Sequence, residues 1–182
     1  MSEKEKTSAS KFLSLVLRHK PEKIGILLDE NGWADTSALL AGMNRSGRRI
    51  SMDDLKEIVA TCSKQRFKLS DDRSKIRANQ GHSISVDVEM SEMEPPAVLY
   101  HGTATRFLDA IKKDGLIPKG RLHVHLSVDI ETALAVGKRH GKPAILTINA
   151  AKMQVDGHKF YLSDNNVWLT SAIPPNYCSI IC

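Results

Sequence analysis

Between residues 8 and 19 the apolar side chains Phe12, Leu13, Val16 and Leu17 fall at helical spacing, and Pro21 disfavours continuation beyond about Lys20. Ile26-Leu27-Leu28 is a short strand candidate ahead of the Asn31-Gly32 turn. Asp35 or Thr36 then caps a helix carrying Leu39, Leu40 and Met43. Ser51-Met52-Asp53-Asp54 is a capping signal for a third helix, with Leu55, Ile58 and Val59 inward. Residues 66–69 and 75–78 read as two strands around a turn at 71–74.

Beyond residue 96 the pattern becomes strand-rich. Strands are expected at 97–101, 122–126, 144–148, 159–162, 167–169 and 177–181. Helices are expected at 107–113, stopped by Gly115, and from Ser127 or Asp129 to about His140, ended by Gly141 and Pro143. The predicted class is α+β in two lobes. Residues 1–84 place three helices before a hairpin, the winged-helix order; 85–96 form a connector, and 97–182 a β-rich second lobe. Within the connector Glu89-Met90-Ser91-Glu92-Met93-Glu94-Pro95-Pro96 is acidic, non-periodic and ended by a double proline.

Charge follows the same division. Residues 1–82 carry sixteen basic and eleven acidic side chains, 83–96 four acidic and no basic, and 97–182 ten basic and six acidic. The total of +5 and a pI near 9.1 favour a polyanionic partner. Aromatics at 5% argue against a broad base-stacking surface. Cys62, Cys178 and Cys182 form neither a CxxC pair nor an even framework, which fits reduced thiols in the cytoplasm. Neither a signal peptide nor a membrane-spanning apolar run is apparent.

Arginine and histidine recur at four stations: Arg18-His19-Lys20, Arg66, His101-Gly102-Thr103, and Arg121-Leu122-His123-Val124-His125. Guanidinium forks match phosphate oxygens, and histidine changes charge near neutral pH. If folding unites them, they form a pocket for a phosphorylated substrate. Each also has a plainer reading. Cations in a last helical turn offset the helix dipole by about 0.3–1 kcal/mol, which accounts for Arg18 and His19, and equally for Arg139 and His140. Arg66 suits a solvated basic wing. Gly102 permits close approach of a ligand to the backbone, and Thr103 adds a hydroxyl. His123 and His125 share one strand face, yet no third ligand stands at useful spacing, so no metal is expected. GxGxxG, GxxxxGK[ST] and GxSxG are all absent.

Taken in order, the segments Ser10-Lys11-Phe12-Leu13-Ser14-Leu15-Val16-Leu17-Arg18-His19-Lys20-Pro21, Asn31-Gly32-Trp33-Ala34, Arg66-Phe67, Ile76 to Ser83, Leu99 to Thr103, Arg121 to Ser127 and Val167 to Thr170 resemble the RNA 2′-phosphotransferases over about residues 8–171. The resemblance implies a winged-helix RNA lobe and a second lobe of the ADP-ribosyltransferase type that binds NAD as a co-substrate. It implies removal of an internal RNA 2′-phosphate, as in tRNA splicing. The route runs through an ADP-ribosylated RNA phosphate to 2′-OH RNA, ADP-ribose 1″,2″-cyclic phosphate and nicotinamide. The family's essential set maps onto Arg18, His19, Arg66 and Arg121, and its NAD contacts onto His101, Gly102 and Thr103, with His125 and Ser127 as further candidates. A cytoplasmic monomer acting on tRNA-like RNA is expected, away from membranes. Asn165-Asn166 replaces a frequent glycine before Val167-Trp168, and asparagine tolerates the left-handed backbone that such a turn needs. Two other classes compete: a nucleic-acid-end ADP-ribosyltransferase that stops after the first step, and a non-enzymatic winged-helix regulator sensing NAD or ADP-ribose.

Overall fold

A computed structural model describes residues 1–181. Cys182, one of the three thiols expected to be reduced, lies outside the described residues. The chain divides into two compact units, Met1–Glu89 and Met90 onward. Both combine helices with small antiparallel sheets, so the class is α+β.

Helix α1 (Glu3–Arg18) begins five residues before the predicted start. Ser2 and Glu5 form a reciprocal capping box there, and Glu3 and Glu5 occupy the positive end of the helix. Ala9, Phe12, Leu13, Val16 and Leu17 are buried. Residues 21–24 form a single 3-10 turn, and Gly25 at φ 67 ends it. The strand expected at Ile26–Leu28 does not form. Ile26 is buried but Leu27 is 89% exposed, and Leu28 makes one bridge, to Ala34. The first strand is instead β1 (Ala34–Asp35).

Asp35 caps α2 (Thr36–Arg45), and Ser51 caps α3 (Met52–Thr61) through a second capping box with Asp54. Strands β2 (Phe67–Leu69) and β3 (Lys75–Ala78) pair antiparallel, with Lys68 opposite Arg77, and β3 lies central in the order β1-β3-β2. Phe67, Ile76 and Ala78 close the core that α1, α2 and α3 supply through Leu13, Leu39 and Leu55.

The second unit holds β4 (Val98–Ala104), α4 (Leu108–Asp114), β5 (Val124–Leu126), α5 (Ile130–Gly137), β6 (Pro143–Asn149), α6 (Ala150–Val155), β7 (Tyr161–Leu162), β8 (Trp168–Thr170) and β9 (Cys178–Ile181). Two antiparallel sheets run β4-β6-β9 and β5-β8-β7. Leu99, Leu126, Leu146, Ile148, Phe160 and Trp168 form a separate core. The helix expected to reach His140 ends at Gly137 and continues as a 3-10 turn over Lys138–His140. Asn166 adopts φ 58, the left-handed conformation anticipated before Val167-Trp168.

The acidic segment is fastened in both units. Asp87 N–H donates to the Glu30 carbonyl, Val88 is buried, and Glu89 pairs with Arg77 at 3.2 Å. In the second unit Met93 N–H donates to Phe160 O, and Glu92 pairs with Lys159 at 2.9 Å. Among the described residues no helix is long and apolar enough to cross a membrane.

Candidate functional site

Helical periodicity decides where Arg18 points. Its core-facing neighbours occupy one side of α1, whereas Lys6, Ser10, Ser14 and Arg18, four residues apart, follow one another along another. That stripe lines a cavity of about 400 Å³, together with Thr61, Cys62 and Ser63 at the end of α3 and Arg66 just before β2. Two arginines from different elements thus reach one cavity rich in hydroxyl groups. Both are half-buried.

Arg66 is held by its surroundings. Gln65 before it adopts φ 42, a positive value that is rare outside glycine. Asn79 secures that conformation on both sides: its Nδ2 donates to Gln65 O at 2.7 Å and its backbone N–H to Arg66 O at 2.9 Å. The Arg66 guanidinium donates to Cys62 Sγ at 3.4 Å. Burial alone would raise the Cys62 thiol. The N–H donors of Arg66 and Lys64 and the guanidinium charge outweigh it, so the thiol pKa falls below its ordinary value.

His19 adjoins this corner but does not line the cavity. It closes α1 with φ −133 and ψ −41, and its Nδ1 lies 2.9 Å from Ser83 Oγ. Behind it, His82 is only 2% exposed, and its Nε2 has no hydrogen-bond partner among the described residues. Burial, then the charges of Arg18, His19 and Arg77, push its pKa down to about 4, so the ring is neutral at pH 7.

In the second unit β4 and β5 bring four candidates together. Tyr100 and Ser127 exchange two backbone hydrogen bonds of 2.8 Å, which sets His101 beside the β5 residues. His101 Nδ1 lies 2.9 Å from the His125 carbonyl. A carbonyl only accepts, so Nδ1 carries the proton and Nε2 offers a lone pair when the ring is neutral. Burial holds the His101 pKa below its usual value and favours that neutral form. Arg121 donates to His125 Nδ1 at 2.9 Å, which leaves the His125 proton on Nε2 while that ring is neutral. His123 rests against the Tyr161 ring at 5.9 Å.

Gly102 also meets a packing demand. A Cβ there would lie 1.7 Å from the Ala133 carbonyl, so the missing side chain admits the backbone of α5. Helix packing thus accounts for the absent side chain. Thr103 is buried beside it, and its own carbonyl would lie 2.6 Å from a Cβ on Gly137. Arg139 and His140 lie exposed in the turn after α5.

Pattern reading missed the supporting residues Cys62, Asn79, His82 and Ser83. The only signal was that Asn79, His82 and Ser83 belong to the segment Ile76 to Ser83 already singled out.

Residues 4–172 match the RNA 2'-phosphotransferase, Tpt1 / KptA family. The chain is 59% identical over 179 residues to a "Probable RNA 2'-phosphotransferase" of Hahella chejuensis, covering 98% of this chain and 96% of that protein. It is 53% identical to a protein of the same description from Flavobacterium johnsoniae, over 97% of each chain. A third, from Agrobacterium fabrum, is 54% identical over 96% of this chain and 94% of its own length.

Proposed function

Because the chain belongs to the RNA 2′-phosphotransferase family, we propose that it removes an internal 2′-phosphate from RNA by transferring it to NAD. The observation that carries this reading is the delivery of Arg18 and Arg66 to one cavity. Two guanidinium groups there suit a phosphate dianion, and each charge-assisted bond to it is about twice as strong as a neutral one. Offsetting the dianion's charge lets the phosphate oxygen approach an electron-poor ribose carbon.

The second unit supplies groups suited to NAD. His101, neutral and with its Nε2 lone pair available, can accept from an amide or hydroxyl, and Thr103 is a buried hydroxyl beside it. NAD contributes a ribose whose C1″ loses nicotinamide and a neighbouring O2″ that afterwards attacks phosphorus. The reading assigns Arg18, His19 and Arg66 to the 2′-phosphate. Arg121, oriented by its bond to His125, offsets the charge that grows on phosphorus as the RNA hydroxyl leaves. Products are 2′-OH RNA, nicotinamide and ADP-ribose 1″,2″-cyclic phosphate.

A base-reading regulator fits poorly. Helix α3 follows α2 where such a protein would carry its recognition helix, yet Asp53 pairs with its Lys56, and Glu57 holds Lys6. The deciding experiment incubates the chain with NAD and a short RNA carrying one radiolabelled internal 2′-phosphate. Release of label as ADP-ribose cyclic phosphate sustains the proposal. Label retained on RNA as an ADP-ribosylated adduct points to a transferase that stops after one step. No NAD-dependent change overturns the reading.

A further inference from the structure

Ser83 meets the Arg18–His19 corner twice. Its backbone N–H donates to the Arg18 carbonyl at 3.0 Å, and its Oγ lies 2.9 Å from His19 Nδ1. The first contact occupies a carbonyl left over where α1 ends. The second determines what the other ring nitrogen can do. We propose that Ser83 is a positioning residue for phosphate transfer, holding His19 so that Nε2 can present a proton to the substrate phosphate in either charge state of the ring. The proposal deepens, and rests on, the reading of this corner as the 2′-phosphate site.

A serine hydroxyl both donates and accepts. With His19 neutral and a phosphate oxygen accepting from Nε2, the hydroxyl donates to Nδ1 and the ring proton lies on Nε2. With His19 cationic, Nδ1–H donates to Oγ, and Nε2 again carries a proton. A phosphate dianion offers acceptors only, so it selects the Nε2–H form, and Ser83 accommodates that form in both charge states. The His101 arrangement is the opposite. There a carbonyl fixes the proton on Nδ1 and leaves Nε2 as an acceptor. One histidine is therefore set as a donor toward an anion and the other as an acceptor.

Ser83 is exposed, and its backbone contact survives replacement by alanine, so Ser83→Ala isolates the hydroxyl. Long-range proton–nitrogen spectra of the full chain, with and without a short RNA carrying an internal 2′-phosphate, report the His19 tautomer. The same RNA with NAD reports turnover. The wild type is expected to show the Nε2–H form in the complex. Ser83→Ala is expected to broaden or shift the His19 ring resonances as the ring loses its fixed orientation, and to lower kcat by roughly 10- to 100-fold, the scale on which outer partners of functional histidines act, with the KM for NAD unchanged. Ser83→Thr should restore both. A wild type with its proton on Nδ1, or a Ser83→Ala protein with unaltered ring resonances and kcat, overturns the proposal. Should the wild type release no 2′-phosphate, the functional reading falls instead. The spectra with inorganic phosphate then decide on Ser83 by the same tautomer criterion.

Discussion

His82 allows a stability experiment whose size follows from the structure. The ring is buried behind Arg18 and His19, and its pKa falls from an ordinary 6.5 to about 4, through burial first and then the neighbouring positive charges. The unfolded chain takes up the proton near pH 6.5, whereas the folded one resists until about 4. The folded-state pKa of this base is depressed, so the unfolded state binds more protons between those values. Stability is therefore full above pH 6.5 and is lost as pH falls toward 4. At about 1.4 kcal/mol per pH unit, the His82 contribution between pH 7.5 and pH 4.5 is on the order of 2.5 kcal/mol. Urea unfolding at both pH values, for the wild type and His82→Gln, measures it. Carboxylates such as Asp29 and Asp54, whose pKa values lie below the ordinary range, titrate in both proteins and cancel in the comparison. The wild type should lose about 2.5 kcal/mol more than the variant over that interval. Parallel losses in the two proteins would refute the assignment of His82 as a buried neutral ring.

Three further outcomes are expected. Arg66→Lys keeps the charge but gives up the planar fork, so kcat/KM should fall about 10- to 100-fold; unchanged turnover would show that the fork is not used. Arg121→Ala should form the ADP-ribosylated RNA adduct and release cyclic phosphate slowly, visible as a lagging band on a denaturing gel; no adduct would count against Arg121 acting in the second step. At pH 7.5 iodoacetamide should modify Cys62 well before Cys178, whose thiol is pushed up to about 11 by burial. Saturating 2′-phosphorylated RNA should slow the Cys62 reaction, as peptide mass mapping would show, and equal rates with and without RNA would place the phosphate elsewhere.

Much of the first unit is legible locally. The apolar rows of α1, α2 and α3, the Ser51 cap and the β2–β3 hairpin all follow from spacing and capping chemistry within a few residues. The candidate cluster at Arg18 and His19 was likewise visible as residue types. Its assembly was not, because Arg66, Asn79 and Ser83 meet it through tertiary hydrogen bonds that leave no periodic trace. Ile26–Leu28 misled for the converse reason: β-branched and apolar character suggested a strand where, among the described residues, the segment makes a single bridge, from Leu28 to Ala34. Helix α6 escaped notice at six residues, though Asn149, which accepts from Lys152 N–H, was a readable cap. At Gly102 a sequence cannot say that the backbone of α5 takes up the space of the missing side chain.

The two hydrophobic cores share no residue. Arg18, His19, Arg66 and Ser83 depend on one of them, and His101, Arg121 and His125 on the other. Damage to this protein should therefore come in two kinds. Under the proposed assignment, a lesion such as a cavity cut at Leu13 should loosen the hold on phosphate, while one at Leu146 should leave that hold intact and stop turnover. Loss of grip and loss of turnover with grip retained become separable phenotypes, and a collection of inactive variants would sort itself by which core was struck.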